Sequence, residues 1–301
     1  MTFPAPPRLL VIFNPAAGQG RRLAACLEAL SARGCLLHVV ATQAPGDVER
    51  IARAADPASF DAVIAAGGDG TVHEIVNGLV GKAGGKSLPL GLIPLGTANV
   101  LAAEIGLATA PERVAETIVG GHRRPVRLGR IGEARFLLMA GAGFDADVVA
   151  GVDLALKRRV GKLAYVWRTL TGAFSYPFPP LTARLDGVAH AAFGVIVCRA
   201  RHYGGGFVAA PAARLDAATV QVCLLKKPGA ANVIRYAAAL MTGRLGTLAD
   251  VEIATARTVS IEGPPGAPVQ VDGDIRARLP LTIDQAPETI ELIVPGDQAA
   301  K

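Results

Sequence analysis

Gly67-Gly68-Asp69-Gly70-Thr71 lies behind an apolar run, Ala62-Val63-Ile64-Ala65-Ala66, and ahead of Val72-His73-Glu74-Ile75-Val76-Asn77-Gly78-Leu79. A short apolar run bounded by glycines reads as a buried strand. A strand that empties into three glycines around one acid, and then into a helix, has the form of a phosphate-binding loop. Glycines let backbone amides approach an anion, and the helix adds the positive end of its dipole. Asp69 does not belong in a plain phosphate cradle, because a carboxylate is repelled by phosphate oxygens unless a metal ion, a ribose hydroxyl or a substrate proton lies between them. The competing reading is a tight strand-to-helix turn in which Asp69 supplies side-chain hydrogen bonds. Thr71 and Glu74 stand at Ser/Thr-x-x-Glu spacing, which predicts a capping box and a helix from Thr71 to Val80.

Two further loops share that character. Asn14-Pro15-Ala16-Ala17-Gly18 follows the strand-like Leu9 to Phe13, and Pro94-Leu95-Gly96-Thr97-Ala98-Asn99 follows Leu90 to Ile93. Loops that leave successive parallel strands lie on one edge of a sheet, so three of them together mean more than any one. Two familiar nucleotide signatures are excluded. Gly85-Lys86-Ser87 resembles the end of a Walker A loop, but Val80 stands where its first glycine belongs; Gly18-Gln19-Gly20 is followed by Leu23, which breaks GxGxxG.

The elements that must position these loops alternate. Leu9 to Phe13, Leu36 to Ala41, Ala62 to Ala66 and Leu90 to Ile93 read as strands, and Gln19 to Arg33, Asp47 to Ala55, Val100 to Ile105 and a segment opened by Pro111 read as helices. Alternation of this kind predicts a parallel α/β domain over residues 1–122, with ligands at the carboxyl ends of its strands. Beyond Arg123 strands dominate: Pro125 to Ile131, Arg135 to Ala140, Leu181 to Leu185, Ala192 to Arg199, Thr219 to Leu225, Val251 to Ile253, Thr258 to Ile261, Val269 to Val271, Leu281 to Ile283 and Thr289 to Val294. They predict an antiparallel β-sandwich domain over residues 123–301, whose last strand could return to the first domain, with helices at Asp145 to Thr171 and Ala230 to Thr242.

Composition narrows the class. The chain has 301 residues, 51% of them hydrophobic, which suffices for a sizeable core in two domains. The net charge of +6 is carried in short clusters (Arg21-Arg22, Arg123-Arg124, Lys157-Arg158-Arg159, Lys226-Lys227), which suits phosphate ligands or an anionic membrane surface rather than nucleic acid. Cys26, Cys35, Cys198 and Cys223 have no CxxC spacing, so neither zinc nor a disulfide framework is indicated and a reducing cytoplasm is expected. No segment has the length of a membrane-spanning helix, so any membrane contact is expected to be peripheral.

These motifs together resemble the diacylglycerol kinase catalytic-domain superfamily, which includes bacterial soluble lipid kinases and sphingosine kinases. The resembling residues are Asn14-Pro15-x-x-Gly18, Gly67-Gly68-Asp69-Gly70-Thr71-x-x-Glu74-x-x-Asn77-Gly78, Pro94-x-Gly96-Thr97-x-Asn99, Gly143-Phe144-Asp145-Ala146, Gly204-Gly205-Gly206 and Asp272-Gly273-Asp274. They run through nearly the whole chain in the family's order. The resemblance implies an NAD-kinase-like α/β nucleotide domain, a β-rich second domain and a cleft between them. It implies ATP and Mg²⁺ as cofactors, bound through Asn14, Gly18, Gly67, Gly68, Asp69, Gly70, Thr71, Glu74, Gly96, Thr97 and Asn99, with Asp274 near the nucleotide or metal and Asp69 organising both. Asp272 would be the general base, since a lipid hydroxyl is a poor nucleophile whose proton a carboxylate must accept. Read alone, Asp272-Gly273-Asp274 is instead a type I′ hairpin turn.

The chain departs from the family at three points. Asp274 replaces the usual Glu, Arg127 stands where many relatives carry an Asp of the metal-water network, and Asp216 is the one acid left of a loop that holds a structural Mg²⁺ in some relatives. Asp147 resembles the acidic position that sphingosine kinases use near the lipid head group, and Asp145 or Asp147 could equally cap a helix. Apolar, basic and aromatic residues from Val148 to Trp167 form the candidate lipid slot and interfacial surface. The expected activity is transfer of the γ-phosphoryl of ATP to a hydroxyl of diacylglycerol or a sphingoid lipid, in the cytoplasm at the inner membrane face, with ATP, the lipid and the membrane surface as partners and a homodimer as an option. A kinase of a soluble acceptor, as in NAD kinases, and a non-catalytic nucleotide-responsive membrane-binding protein remain the alternatives.

Overall fold

A computed structural model describes residues 6–80, 87–151 and 172–298. Gly85-Lys86, the second half of the helix expected over Asp145 to Thr171, and the expected lipid-facing stretch from Val152 to Trp167 lie outside the described residues. The chain divides into two compact units, Met1–Leu128 with Pro287–Lys301, and Gly129–Ala286.

In the first unit, β1 (Arg8–Phe13), β2 (Leu36–Ala41), β3 (Ala62–Gly67) and β4 (Leu90–Pro94) form a parallel sheet in the order β2-β1-β3-β4. The end of the chain's last strand, β18 (Leu281–Ile293), pairs in parallel with β4 through Leu292 and Leu90. The helices are α1 (Gly20–Ser31), α2 (Asp47–Ala54), α3 (Asp69–Val80), α4 (Val100–Glu104) and α5 (Pro111–Gly120). Strand side chains alternate between faces. Leu9, Val11, Ile64, Ala66, Ile93 and Leu95 therefore share one face, where they pack with Leu23, Cys26 and Leu30 of α1 and Val114 and Ile118 of α5. Helices α2 and α3 contribute nothing to that cluster and pack on each other and against β1 and β3. Their approach is close enough that a Cβ on Gly78 would stand 2.5 Å from the Glu49 carbonyl oxygen. Cover on both faces is why β3 and β4 are buried at every residue and read as unbroken apolar runs. Because the chain leaves β1 toward β2 and returns on the other side as β3, the order reverses between β1 and β3, and ligands of such sheets bind outside the carboxyl ends there.

The second unit is an antiparallel sandwich. Its elements are the end of β5 (Arg123–Ile131), β6 (Ala134–Phe136), β7 (Met139–Gly143), α6 (Phe144–Gly151), β8 (Leu181–Leu185), β9 (Val188–Ala192), β10 (Gly194–Cys198), β11 (His202–Tyr203), β12 (Phe207–Val208), β13 (Val220–Leu225), α7 (Ala230–Met241), β14 (Val251–Ala256), β15 (Val259–Glu262), β16 (Pro268–Val271), β17 (Asp274–Arg278) and the start of β18. One sheet runs β14-β13-β10-β7-β16-β17; in the other, β15 pairs with β18 and with β8, and β8 with β9. Val195, Val197, Val222 and Leu224 face Leu181, Ala183, Val259 and Ile261 across the sandwich, while Ile196, Cys198 and Cys223 turn to the opposite face, where Tyr236 and Ala239 of α7 cover them. All four cysteines are buried and free.

Several expected boundaries moved. Helix α3 begins at Asp69, two residues before the expected start, so Thr71 is inside the first turn and no capping box sets the boundary. The buried Thr71 hydroxyl instead fills the space beside Gly67, where a Cβ would meet it at 2.2 Å. The single strand expected over Arg135 to Ala140 is two, β6 and β7, and the two expected over Leu281 to Val294 are the one strand β18. Strands β9, β11, β12 and β17 were not expected from the sequence.

Candidate active site

The three glycine-bearing loops of the first unit leave β1, β3 and β4 and are bonded to one another. Asn14 donates its amide to the Ala66 carbonyl at 3.1 Å, and Leu95 donates to the Gly67 carbonyl at 2.9 Å. Gln19 reaches across to the Leu95 carbonyl at 2.9 Å. Asp69 couples the second loop to the third: the amides of Val100 and Leu101, which open α4, donate to its two carboxylate oxygens at 3.0 and 3.2 Å. This is the work of a helix cap, supplied from a distant part of the chain. The loops also touch backbone to backbone, since a Cβ on Gly96 would lie 2.5 Å from the Gly68 Cα.

Each loop is closed by its own asparagine. The Asn14 side chain accepts from the Ala16 amide at 3.0 Å, and Gly18, at φ 79, ends that short turn. Asn99, itself left-handed at φ 47, accepts from the Gly96 amide and donates to the Gly96 carbonyl at 2.9 and 2.7 Å. The turn from Gly67 to Asp69, with Pro94, Asn99 and Leu101, lines a small half-open pocket. The structure thus brings together Asn14, Gly18, Gly67, Gly68, Asp69, Gly70, Gly96, Thr97 and Asn99 around the β1 and β3 ends, with Thr97 exposed and Thr71 and Glu74 one turn into α3. His73 is buried in the same helix, and its carbonyl accepts from the Asn77 side chain.

In the second unit, Asp272 and Gly273 are the two central residues of the β16–β17 hairpin, between the paired Val271 and Asp274. Both have positive φ, 50 and 90, which is the type I′ geometry. The Asp272 carboxylate does not point into solvent. It accepts from the amides of Leu137, Leu138 and Met139 at 2.9, 2.9 and 3.0 Å, and the Asp272 amide donates to the Met139 carbonyl at 2.9 Å. A carboxylate has about four acceptor sites, so a substrate hydroxyl would share this one with three amides. Asp274 lies outward and pairs with Arg276 at 3.1 Å.

Asp145, in the first turn of α6, accepts from the Tyr203 hydroxyl and from the Gln270 side-chain amide. Burial pushes its carboxyl up to about 6, against the pull of Gln270. Gly141 makes this possible, because a Cβ there would stand 1.9 Å from the Asp145 Oδ2. Alanine at Gly141 is accordingly expected to destabilise the protein by about 1–3 kcal/mol, the usual cost of overpacking. Urea denaturation of Gly141→Ala, with and without Asp145→Ala to empty the space, measures it. A carboxyl with a raised folded value stabilises the fold below its unfolded value near 3.8 and loses that contribution as pH rises through about 6. Between about pH 4 and about 6.5 the wild-type melting temperature should therefore fall further than that of Asp145→Asn, other groups cancelling between the two proteins.

Burial raises the Tyr176 phenol, and the charge of Asp147, two residues after Asp145 in the same first turn, raises it further. Tyr176, Phe144 and Phe178 form an aromatic cluster with centroids 5.0 to 5.8 Å apart, and Phe174, two residues before Tyr176 in the chain, is exposed. Asp216 is held by both nitrogens of the Arg214 fork at 3.1 Å. Gln270 and Gly141 carry no motif in the sequence; a glycine inside a strand is the available signal for a close approach at Gly141. Among the described residues no group of three or more acids, histidines or cysteines is placed to hold a metal ion, and no helix is long and apolar enough to cross a membrane.

Comparison with known proteins agrees with both units. Residues 8–131 match the family described as the diacylglycerol kinase catalytic domain, and residues 139–294 match the YegS C-terminal NAD kinase beta sandwich-like domain. The chain is 28% identical to a diacylglycerol kinase of Bacillus subtilis, over 97% of this chain and 98% of that one. It is 30% identical to a Pseudomonas aeruginosa protein named "Probable lipid kinase YegS-like", over 96% and 94%. A crystal structure of a diacylglycerol kinase from Bacillus anthracis superposes with a TM-score of 0.79 at 25% identity, over 98% of this chain and 99% of that one.

Proposed function

The chain belongs to the diacylglycerol kinase catalytic-domain family and is a lipid kinase, and from that premise we propose that it transfers the γ-phosphoryl of ATP to a hydroxyl of diacylglycerol or a sphingoid lipid. The observation that carries the nucleotide half is the knot of three loops at the β1 and β3 ends. Its glycines and the start of α3 offer backbone amides to phosphate, and Asp69 and Asn99 use their polar atoms to hold the loops still. Fixed amides need no reorganisation when charge develops on the transferring group.

Magnesium is held in such sites through the phosphates and one or two carboxylates rather than by a protein cage. The residues present fit that pattern, with Asp69 as the acid among the loops, and the ion would supply charge neutralisation on the phosphates. Asp272 is the group we assign to the hydroxyl proton. Three amides hold its carboxylate in place, and in a loose phosphoryl-transfer transition state a base that orients the hydroxyl and takes its proton late is sufficient. The Phe144–Tyr176–Phe178 cluster beside Asp145 and Asp147 supports a lipid acceptor in the second unit, because aromatic faces offer apolar contact with a polar rim. Peripheral membrane contact and a cytoplasmic site of action follow as parts of the same reading.

Labelled ATP offered with vesicles containing diacylglycerol, sphingosine or neither, and separately with NAD, tests the proposal. Label in a lipid supports it; label in NAD alone overturns the acceptor class, and ATP binding without transfer to any acceptor overturns catalysis.

A further inference from the structure

The Asp272 turn is held by a side chain with no assigned role. Gln270 is 1% exposed, and its amide spans two partners: Nε2 donates to the Asp145 Oδ2 at 3.0 Å, and Oε1 accepts from the Gly273 amide at 2.9 Å. A carboxamide has a donor end and an acceptor end. Reversing it would set N–H against N–H at Gly273 and oxygen against oxygen at Asp145, so only one orientation is satisfied. We propose that Gln270 and Asp145 are positioning residues for the proton acceptor: Gln270 pins the amide next to Asp272, and the Asp145 carboxylate locks the direction in which Gln270 faces. The proposal rests on the assignment of Asp272 made above.

The arrangement is built from three separate stretches of chain. Gln270 lies opposite Gly141 in the β7–β16 register, and that glycine's missing Cβ leaves the room in which the carboxyl and carboxamide meet. Tyr203, on the β11–β12 hairpin, donates its hydroxyl to the second Asp145 oxygen, leaving Oδ2 for Gln270. The bond to Gly273 matters because Asp272 is a non-glycine residue at positive φ, a conformation that persists only where its surroundings hold it. The carboxylate's own three amides fix its depth, and the Gln270 bond fixes the following peptide, so the turn cannot rotate as a unit.

Three variants test this, each read by turnover of labelled ATP on diacylglycerol-containing vesicles and by hydrogen exchange of the Gly273 amide. Gln270→Met removes both polar ends; the expected result is a kcat reduced about tenfold with the KM for ATP within about twofold, and a Gly273 amide that exchanges at least about tenfold faster. Gln270→Glu sets two carboxylates in contact and should lose turnover to a similar degree. Adding Asp145→Asn to it re-creates the pattern with the charge moved: the new carboxamide at position 145 can donate to one oxygen of the new carboxylate at position 270, while the other oxygen accepts from Gly273. Recovery of turnover and of Gly273 protection in that double variant, isosteric with the wild type, is the expected outcome. Unchanged Gly273 exchange in Gln270→Met, or a double variant no better than Gln270→Glu, overturns the inference. If the wild type labels no lipid, the kinase reading falls, and the exchange arm still decides this one.

Discussion

Asparagine at position 272 is expected to abolish phosphoryl transfer and also to weaken the second unit. The catalytic loss follows from the proton: an amide cannot accept it, and removal of a general base costs about 10²–10⁴ in rate. The structural loss follows from the cradle. Oδ1 of Asp272 receives two amides and Oδ2 one, so the carboxamide introduced by Asp272→Asn would satisfy Leu138 and Met139 with its oxygen and turn its NH₂ toward the Leu137 amide. A buried donor left facing a donor costs about 1–3 kcal/mol. The measurements are kcat with saturating lipid and the urea midpoint of the same preparation. A variant as stable as the wild type would show that the three amides do not depend on the charge, and unchanged turnover would remove Asp272 as the proton acceptor. ATP affinity should move least, because the three amides that Asp272 holds all belong to the second unit.

That double effect marks where sequence reading stops. The Asp272-Gly273-Asp274 triplet is legible both as a functional loop of the family and as a type I′ turn, and the geometry is that of the turn, with a carboxylate clamped by amides 133 to 135 residues away. No local pattern announces such a contact. The parallel half is legible because two-sided burial leaves unbroken apolar strands between amphipathic helices. The register of the sandwich is less so: Gln285, Pro287 and Glu288 interrupt the apolar pattern within β18 and make one strand look like two. Asp69 reads in the sequence as an acid waiting for a metal or a proton. Its two amide bonds at the start of α4 show that it also acts as a cap for a helix 31 residues away, which a Ser/Thr-x-x-Glu search could not find. Gln270 escapes notice because a lone polar residue in an apolar strand carries no motif; its meaning comes from Asp145, reached across 125 residues.

The second large effect is expected at Gly96. Alanine there brings a Cβ to 2.5 Å from the Gly68 Cα and 2.8 Å from the Asn99 Oδ1. The side chain of Asn99 can yield only by giving up the bonds that close its loop, and the Gly68 backbone can yield only by moving the turn that carries Asp69. Either movement displaces the amides proposed to hold phosphate, so ATP should bind at least about tenfold more weakly, and overpacking adds about 1–3 kcal/mol of destabilisation. Gly20→Ala is the matched control: nothing lies within 4 Å of its Cβ, and it is the first residue of α1, where alanine is tolerated. Titration of each variant with ATP by calorimetry separates the two cases. Equal affinities for both would mean that the contact between the second and third loops does not shape the nucleotide site. A selective loss at Gly96 would tie nucleotide affinity to the distance between two glycine backbones.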